Sequence, residues 1–213
     1  MATETTPPRP RRGRGRPRGA DSAARREDIL ATATEVFSVV GYRGTSMSEV
    51  ARACGMSQTG LTHYFPTKDV LLQAVMDRRD EIDAARIQPP GSGRPRGWAF
   101  LESLADLVRH NQEQPGIVRL FTTVAGEAVD PEHPANTWLR LHHRAIAEQL
   151  RTALAEAAAD GRLAGDAPTE SIVRCVVAAM DGLQIQWLSD RDHPDMAEDF
   201  AVLVDSLRHR WER

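Results

Sequence analysis

A chain of 213 residues with 41% apolar side chains can bury a core in one domain or two modest ones. Its two cysteines, Cys54 and Cys175, stand too far apart for a CxxC redox or zinc motif. No apolar run approaches the roughly 18 residues of a membrane span, and the first thirty residues lack the apolar stretch of a secretion signal, so a cytoplasmic location is expected. The net charge of −3 conceals an asymmetry: residues 1–68 carry eleven basic against six acidic side chains, the remaining 145 carry sixteen against twenty-four, and this predicts a polyanionic partner at the front end only.

Residues 1–22 form a basic arm, rich in Pro, Gly and Arg and almost free of apolar side chains, which is expected to be disordered on its own. From Ala23, Leu30, Ala33, Phe37 and Val40 recur at helical spacing, with Ile29 and Val36 widening the stripe, and Gly41 supplies a stop. The run Ser46-Met47-Ser48-Glu49 has the form of a capping box and predicts a helix from about Met47 to Cys54. Gly55 suits a left-handed C-terminal cap, Ser57 caps a second short helix from Gln58, and Pro66 ends it. Thr67 caps a third, which carries Val70, Leu71, Ala74 and Val75. After a break over residues 88–97, apolar-periodic segments follow at about 98–112, 115–128, 134–160, 168–190 and 194–211, and no window alternates as a strand would. The expected fold is all-α.

Two short helices about a tight turn at Gly55 and Met56 have the sequence form of a helix-turn-helix, whose second helix enters the major groove of DNA. Val50, Ala51, Leu61 and Phe65 can pack inward, while Gln58, Thr59, Gly60, Thr62 and His63 face outward. Gln suits bidentate pairing to adenine, and a Thr methyl suits thymine. Gly60 costs about 1 kcal/mol of helix stability but lets the backbone approach a groove wall. Tyr64, Lys68 and the serine caps can reach phosphates.

Residues 23–75 resemble the DNA-binding domain of the TetR family of bacterial transcriptional regulators. The resemblance rests on residues 37–42, Gly44-Thr45-Ser46-Met47, Val50-Ala51, Gly55-Met56-Ser57 and Leu61-Thr62-His63-Tyr64-Phe65-Pro66-Thr67-Lys68-Asp69. It implies that Ser48, Gln58, Thr59, Gly60, Thr62 and His63 face bases and that Ser46, Ser57, Tyr64, Thr67 and Lys68 face backbone. The family often has an aromatic residue where Thr62 stands. The organisation expected is an arm over residues 1–22, a three-helix DNA-binding domain over 23–67, and a larger helical ligand-binding and dimerisation domain over 68–213, with 68–87 a connecting helix. In the arm, Gly13-Arg14-Gly15-Arg16-Pro17 is similar to the core of an AT-hook, which would lay Arg14 and Arg16 in an A/T-rich minor groove beside the operator; a basic tail that only raises nonspecific affinity is the simpler reading.

For the rear domain, stripes of Val173, Val176, Val177, Met180 and Leu183, and of Phe200, Leu203, Val204, Leu207 and Trp211, suit a homodimer whose four-helix interface matches a palindromic operator. Phe121, Trp138, His142, Met180, Gln184 and Trp187 are candidates to line a ligand pocket, and with no clustered charge among them the effector is expected to be largely apolar or aromatic. No enzyme motif is present: the adjacent His142 and His143 point about 100° apart on a helix and cannot share a metal, Asp181 and His193 are too generic to build a site on, and nothing calls for a cofactor or metal. The expected function is therefore a ligand-released repressor. A nucleoid-type binder of A/T-rich DNA, in which the arm dominates and no inducer exists, is the alternative.

Overall fold

The computed structural model describes residues 18–190 and 195–213, so Arg14, Arg16 and His193 lie outside the described residues. In chain order the helices are α1 (Arg18–Val40), α2 (Met47–Ala53), α3 (Gln58–Tyr64), α4 (Lys68–Ile87), α5 (Trp98–Gln112), α6 (Pro115–Glu127), α7 (Asn136–Ala159), α8 (Thr169–Ser189) and α9 (Met196–Trp211). Among the described residues there is no strand, only an isolated bridge between Leu163 and Glu212. No described helix is long and apolar enough to cross a membrane.

The first helix begins at Arg18, inside the segment expected to be disordered. Apolar periodicity marks only the part of a helix that packs. Once that part is nucleated, each further residue adds a hydrogen bond at little cost, so the helix runs on into polar sequence. At its other end Val39 and Val40 are exposed, so the packed stripe stops at Phe37.

Two clusters of buried side chains organise the molecule. In the first, Ile29, Leu30, Ala33 and Phe37 of α1 meet Val50 and Ala51 of α2, Leu61 of α3, and Leu71, Leu72, Val75 and Met76 of α4. This cluster continues into Leu120, Phe121 and Val124 of α6 and Trp138 of α7. The helix read as a connector thus gives its N-terminal half to the front core, and a division at residue 67 separates motifs without separating cores. The second cluster joins Phe100, Leu101 and Leu104 of α5, Leu150 and Leu154 of α7, Val173 and Val176 of α8, and Phe200 and Val204 of α9. Each such burial contributes roughly 1.5–3 kcal/mol.

The second cluster corrects the dimer stripes. Val173, Val176, Phe200 and Val204 are at most 2% exposed within a single chain, because α8 and α9 pack on each other and α9 lies along α5. A helical repeat identifies a face that is buried; it does not say whether the partner is the same chain or a second copy. Val177, Met180, Leu183, Leu203, Leu207 and Trp211 are only partly buried. The outward faces of the same helices carry Cys175, Ala178, Ile185 and Val202, all exposed.

Candidate functional site

The capping box read from the sequence forms: the Ser46 side chain accepts from the Glu49 amide at 3.2 Å, and Glu49 Oε2 accepts from the Ser46 amide at 2.7 Å. These bonds from Ser46 hold the Glu49 carboxyl below its ordinary value. At the other end of α2 the Met56 amide donates to Ala51 O at 2.9 Å and the Gly55 amide to Arg52 O at 3.0 Å. That pair of bonds is a Schellman cap, which requires the left-handed φ of 63° that Gly55 adopts. A third contact was not legible in the sequence: Arg25 of α1 donates from Nη2 to Cys54 O at 3.0 Å and takes up another orphan carbonyl.

The turn launches α3 with Ser57 as its N-cap, the hydroxyl accepting from the Gly60 amide at 3.1 Å. Leu61, wholly buried, is the residue of this helix that enters the core, and Phe65 follows it with the Arg26 guanidinium 5.1 Å from its ring centre. Locked this way, α3 leaves Gln58, Thr59 and His63 exposed and Gly60, Thr62 and Tyr64 half-buried. The Thr62 hydroxyl donates to Thr59 O at 3.0 Å. Ser48 is exposed, its hydroxyl 3.0 Å from that of Ser46, and Thr67 caps α4 by accepting from the Val70 amide at 3.2 Å. A Cβ added to Gly60 would meet Ser57 Oγ at 3.4 Å and Met56 Cε at 3.6 Å, both ordinary contacts, so nothing inside the protein demands glycine there.

Lys68, expected to face phosphates, is also engaged within the protein. Its ammonium donates to Tyr42 O at 3.0 Å and Thr45 O at 2.9 Å, and sits 4.3 Å from the centre of the Tyr42 ring. The lysine thus clamps the α1–α2 connection to the start of α4. The reason is local: the chain between α1 and α2 leaves carbonyls without helical partners, and the nearest cation takes them. Tyr42 in turn donates its hydroxyl to Asp69, and burial, followed by that carboxylate, raises the phenol's pKa.

A second site lies between α4, α5, α6, α7 and α8, which surround a partly open cavity of about 120 Å³. Of the expected lining residues, Phe121, His142, Met180 and Gln184 reach it. Trp138 does not line it: its indole N–H donates to Asp80 Oδ2 at 2.9 Å and its ring stacks on His142. Trp187 is buried in the second core. The wall is also more charged than the rear helices suggested. Arg79, Asp80 and Asp83 enter it from α4 and Asp181 from α8. Arg79 Nη2 lies 3.2 Å from Asp83 Oδ2, and His142 Nδ1 lies 3.0 Å from Asp80 Oδ1. Burial raises the Asp83 carboxyl above its ordinary range, opposed by Arg79. Asp181 Oδ2, 3.0 Å from His143 Nε2, raises that imidazole's pKa. The two histidines therefore face different carboxylates, and among the described residues no group of three or more His, Cys, Asp or Glu side chains comes together to hold a metal.

Comparisons with known proteins fall on both halves of this arrangement. The family profile described as "Bacterial regulatory proteins, tetR family" matches residues 29–75, which span the helix-turn-helix and its flanking helices. The HTH-type transcriptional regulator UidR of Escherichia coli is 27% identical over 184 residues, 86% of this chain and 89% of that one. An HTH-type transcriptional regulator of Xanthobacter autotrophicus is 29% identical over 195 residues, 89% and 94% of the two chains. A TetR transcriptional regulator from Chloroflexus aurantiacus has the same fold, with a TM-score of 0.78 over 91% of this chain and 98% of that chain at 21% identity. None of this supports a nucleoid-type architectural binder. With a second helix anchored by Leu61 and capped by Ser57, residues 29–75 form a DNA-binding domain of the TetR family of bacterial regulatory proteins, and the helical domain behind it has the fold of TetR transcriptional regulators.

Proposed function

We propose that this regulator is a homodimeric repressor that reads a palindromic operator through α3 of each copy and is released when a small molecule occupies the cavity between α4 and α8. The observation that carries this reading is the division of labour on α3: Leu61 and Phe65 face the core while Gln58, Thr59 and His63 stand free in solvent. Gln58, Thr59, Gly60, Thr62 and His63, with Ser48, meet bases; Ser46, Ser57, Tyr64 and Thr67 meet phosphates. Lys68 acts chiefly by holding the α1–α2 connection, with at most one ammonium donor left for DNA. Residues up to about 76 move as the reading head, since Leu71 to Met76 share its core. The outward faces of α8 and α9, with exposed Ile185 and Val202, join two copies about a two-fold axis. Because α4 both lines the cavity and begins at the Lys68 clamp, a ligand that favours one placement of α4 favours one spacing of the heads.

Selection of tight binders from a random duplex pool tests this reading. Enrichment of an inverted repeat supports a dimeric sequence reader; survival of A/T-rich duplexes alone would favour an architectural binder. On the selected repeat, Gln58→Ala is expected to weaken binding by about 1–3 kcal/mol while leaving random-sequence binding unchanged. Equal loss on both would assign Gln58 to the backbone. Gly60→Ala has opposite effects on two measurements. The variant should melt higher, by about 1 kcal/mol of helix propensity, since the new Cβ has room inside the protein. It should also bind the repeat more weakly, and unchanged affinity would remove close approach to the groove as the reason for glycine.

A further inference from the structure

The cavity presents polar chemistry that its own residues do not use. Asn111 is 4% exposed and faces the cavity with an amide that makes no hydrogen bond among the described residues. Gln184, 5% exposed, accepts only a 3.5 Å contact from the Thr122 hydroxyl. Buried amides are nearly always partnered, so a pair left open toward a cavity calls for an occupant that completes them.

The charges say what kind of occupant. Asp80 is met three ways, by the Trp138 indole N–H, by His142 and by Arg79 Nη1 at 3.6 Å. Asp83 has Arg79 alone, and its side chain is 15% exposed. Arg79 itself rests its guanidinium 4.0 Å from the centre of the Phe121 ring, between the two carboxylates. An aromatic face flanked by carboxylates is a cation site, here occupied from within by a side chain. With Asp181 of α8, three carboxylates line the cavity beside one guanidinium, and the two imidazoles are each turned to a carboxylate. An anionic ligand would find one open donor, Arg79 Nη1, but only 3.6 Å from Asp80 and in a cavity that Asp83 and Asp181 also line. A neutral apolar one would leave the Asn111 amide without a partner and Asp83 with Arg79 alone.

We infer that the cavity takes an organic cation, an amine with an apolar body, whose N–H groups donate to Asp83 and to the side-chain carbonyls of Asn111 and Gln184. The body of such a ligand lies against Ile87, Leu107, Ile146, Val177 and Met180 on the cavity wall. Deep placement strengthens the charge-assisted bonds, because little water remains to compete for them. This inference rests on the ligand-release reading for its biological meaning and on the cavity alone for its chemistry.

Isothermal titration of the full chain with three probes of one shape, benzylamine, benzyl alcohol and benzoate, tests it. Benzylamine should bind tighter than the alcohol by about tenfold or more, as one charge-assisted hydrogen bond would give, and benzoate should bind least. Asp83→Asn should bring the amine down to the level of the alcohol, and Asp83→Glu should restore part of the preference, with far-UV circular dichroism showing that both variants keep their helices. Absence of benzylamine binding, equal or tighter binding of the alcohol or the acid, or a preference unchanged in Asp83→Asn would overturn the inference. The same probes added to the protein on its selected duplex separate the two readings. Release by the alcohol or acid but not the amine sinks the cation assignment and leaves ligand release standing; tight binding of the amine with no effect on the duplex does the reverse.

Discussion

Arg79→Met will lower the stability of the folded protein by about 3–5 kcal/mol, the usual consequence of removing one partner from a buried charge cluster. At roughly 2–4 °C per kcal/mol for a chain of this size, the melting temperature should fall by about 10 °C. The side chain is 8% exposed, Asp83 beside it is 15% exposed, and the variant keeps the apolar contact with Phe121 while removing the charge. What remains is a carboxylate already raised by burial and now without its cation. The folded state then holds the Asp83 proton at pH values where the unfolded chain has released it, so stability declines as pH rises through that window and recovers toward acid. Melting curves of the native chain and the variant at about pH 5 and about pH 8 separate charge from packing. A gap between the two proteins that widens at the higher pH is the expected result. A gap of the same size at both would attribute the loss to packing on Phe121.

Leu61→Ala should cost about 2–5 kcal/mol and abolish duplex binding while sparing most of the circular dichroism signal. A helix of seven residues does not stand alone in water, and α3 is held by the burial of this one leucine and of Phe65 just beyond its end. With the methyls gone, the loss should be local. Amide exchange should accelerate over residues 57–65 and change little in α5, α8 and α9, whose contacts belong to the other core. Duplex affinity within threefold of the native protein, roughly 0.6 kcal/mol, would show that the reading helix is held by something other than Leu61.

Most of the front half was legible because its signals are local. Ser46 with Glu49, Gly55, Ser57, Thr67 and Pro66 each act on backbone groups within a few residues, and each does in the structure what its chemistry requires. What was not legible has the opposite property. Arg79, Asp80 and Asp83 stand in a polar run of α4 with no local signal of a site, and only the packing of α4 against α5 and α7 turns them toward a cavity. Lys68 carries the right charge for phosphate, yet its acceptors are carbonyls 23 and 26 residues away that no side-chain pattern announces. Val173, Val176, Phe200 and Val204 were correctly read as buried faces and assigned to a second copy, because periodicity is silent about which chain does the burying.

The way α3 is fastened bears on how freely its specificity can change. Among the described residues the side chains of Gln58, Thr59 and His63 make no hydrogen bond or ion pair, whereas Leu61, Phe65 and Gly55 each meet a requirement of the fold. Substitutions at the three free positions should therefore be nearly neutral for folding. A combinatorial library confined to them would sample new target sequences on an intact protein, and drift there could retarget the regulator without passing through unfolded intermediates in sequence space.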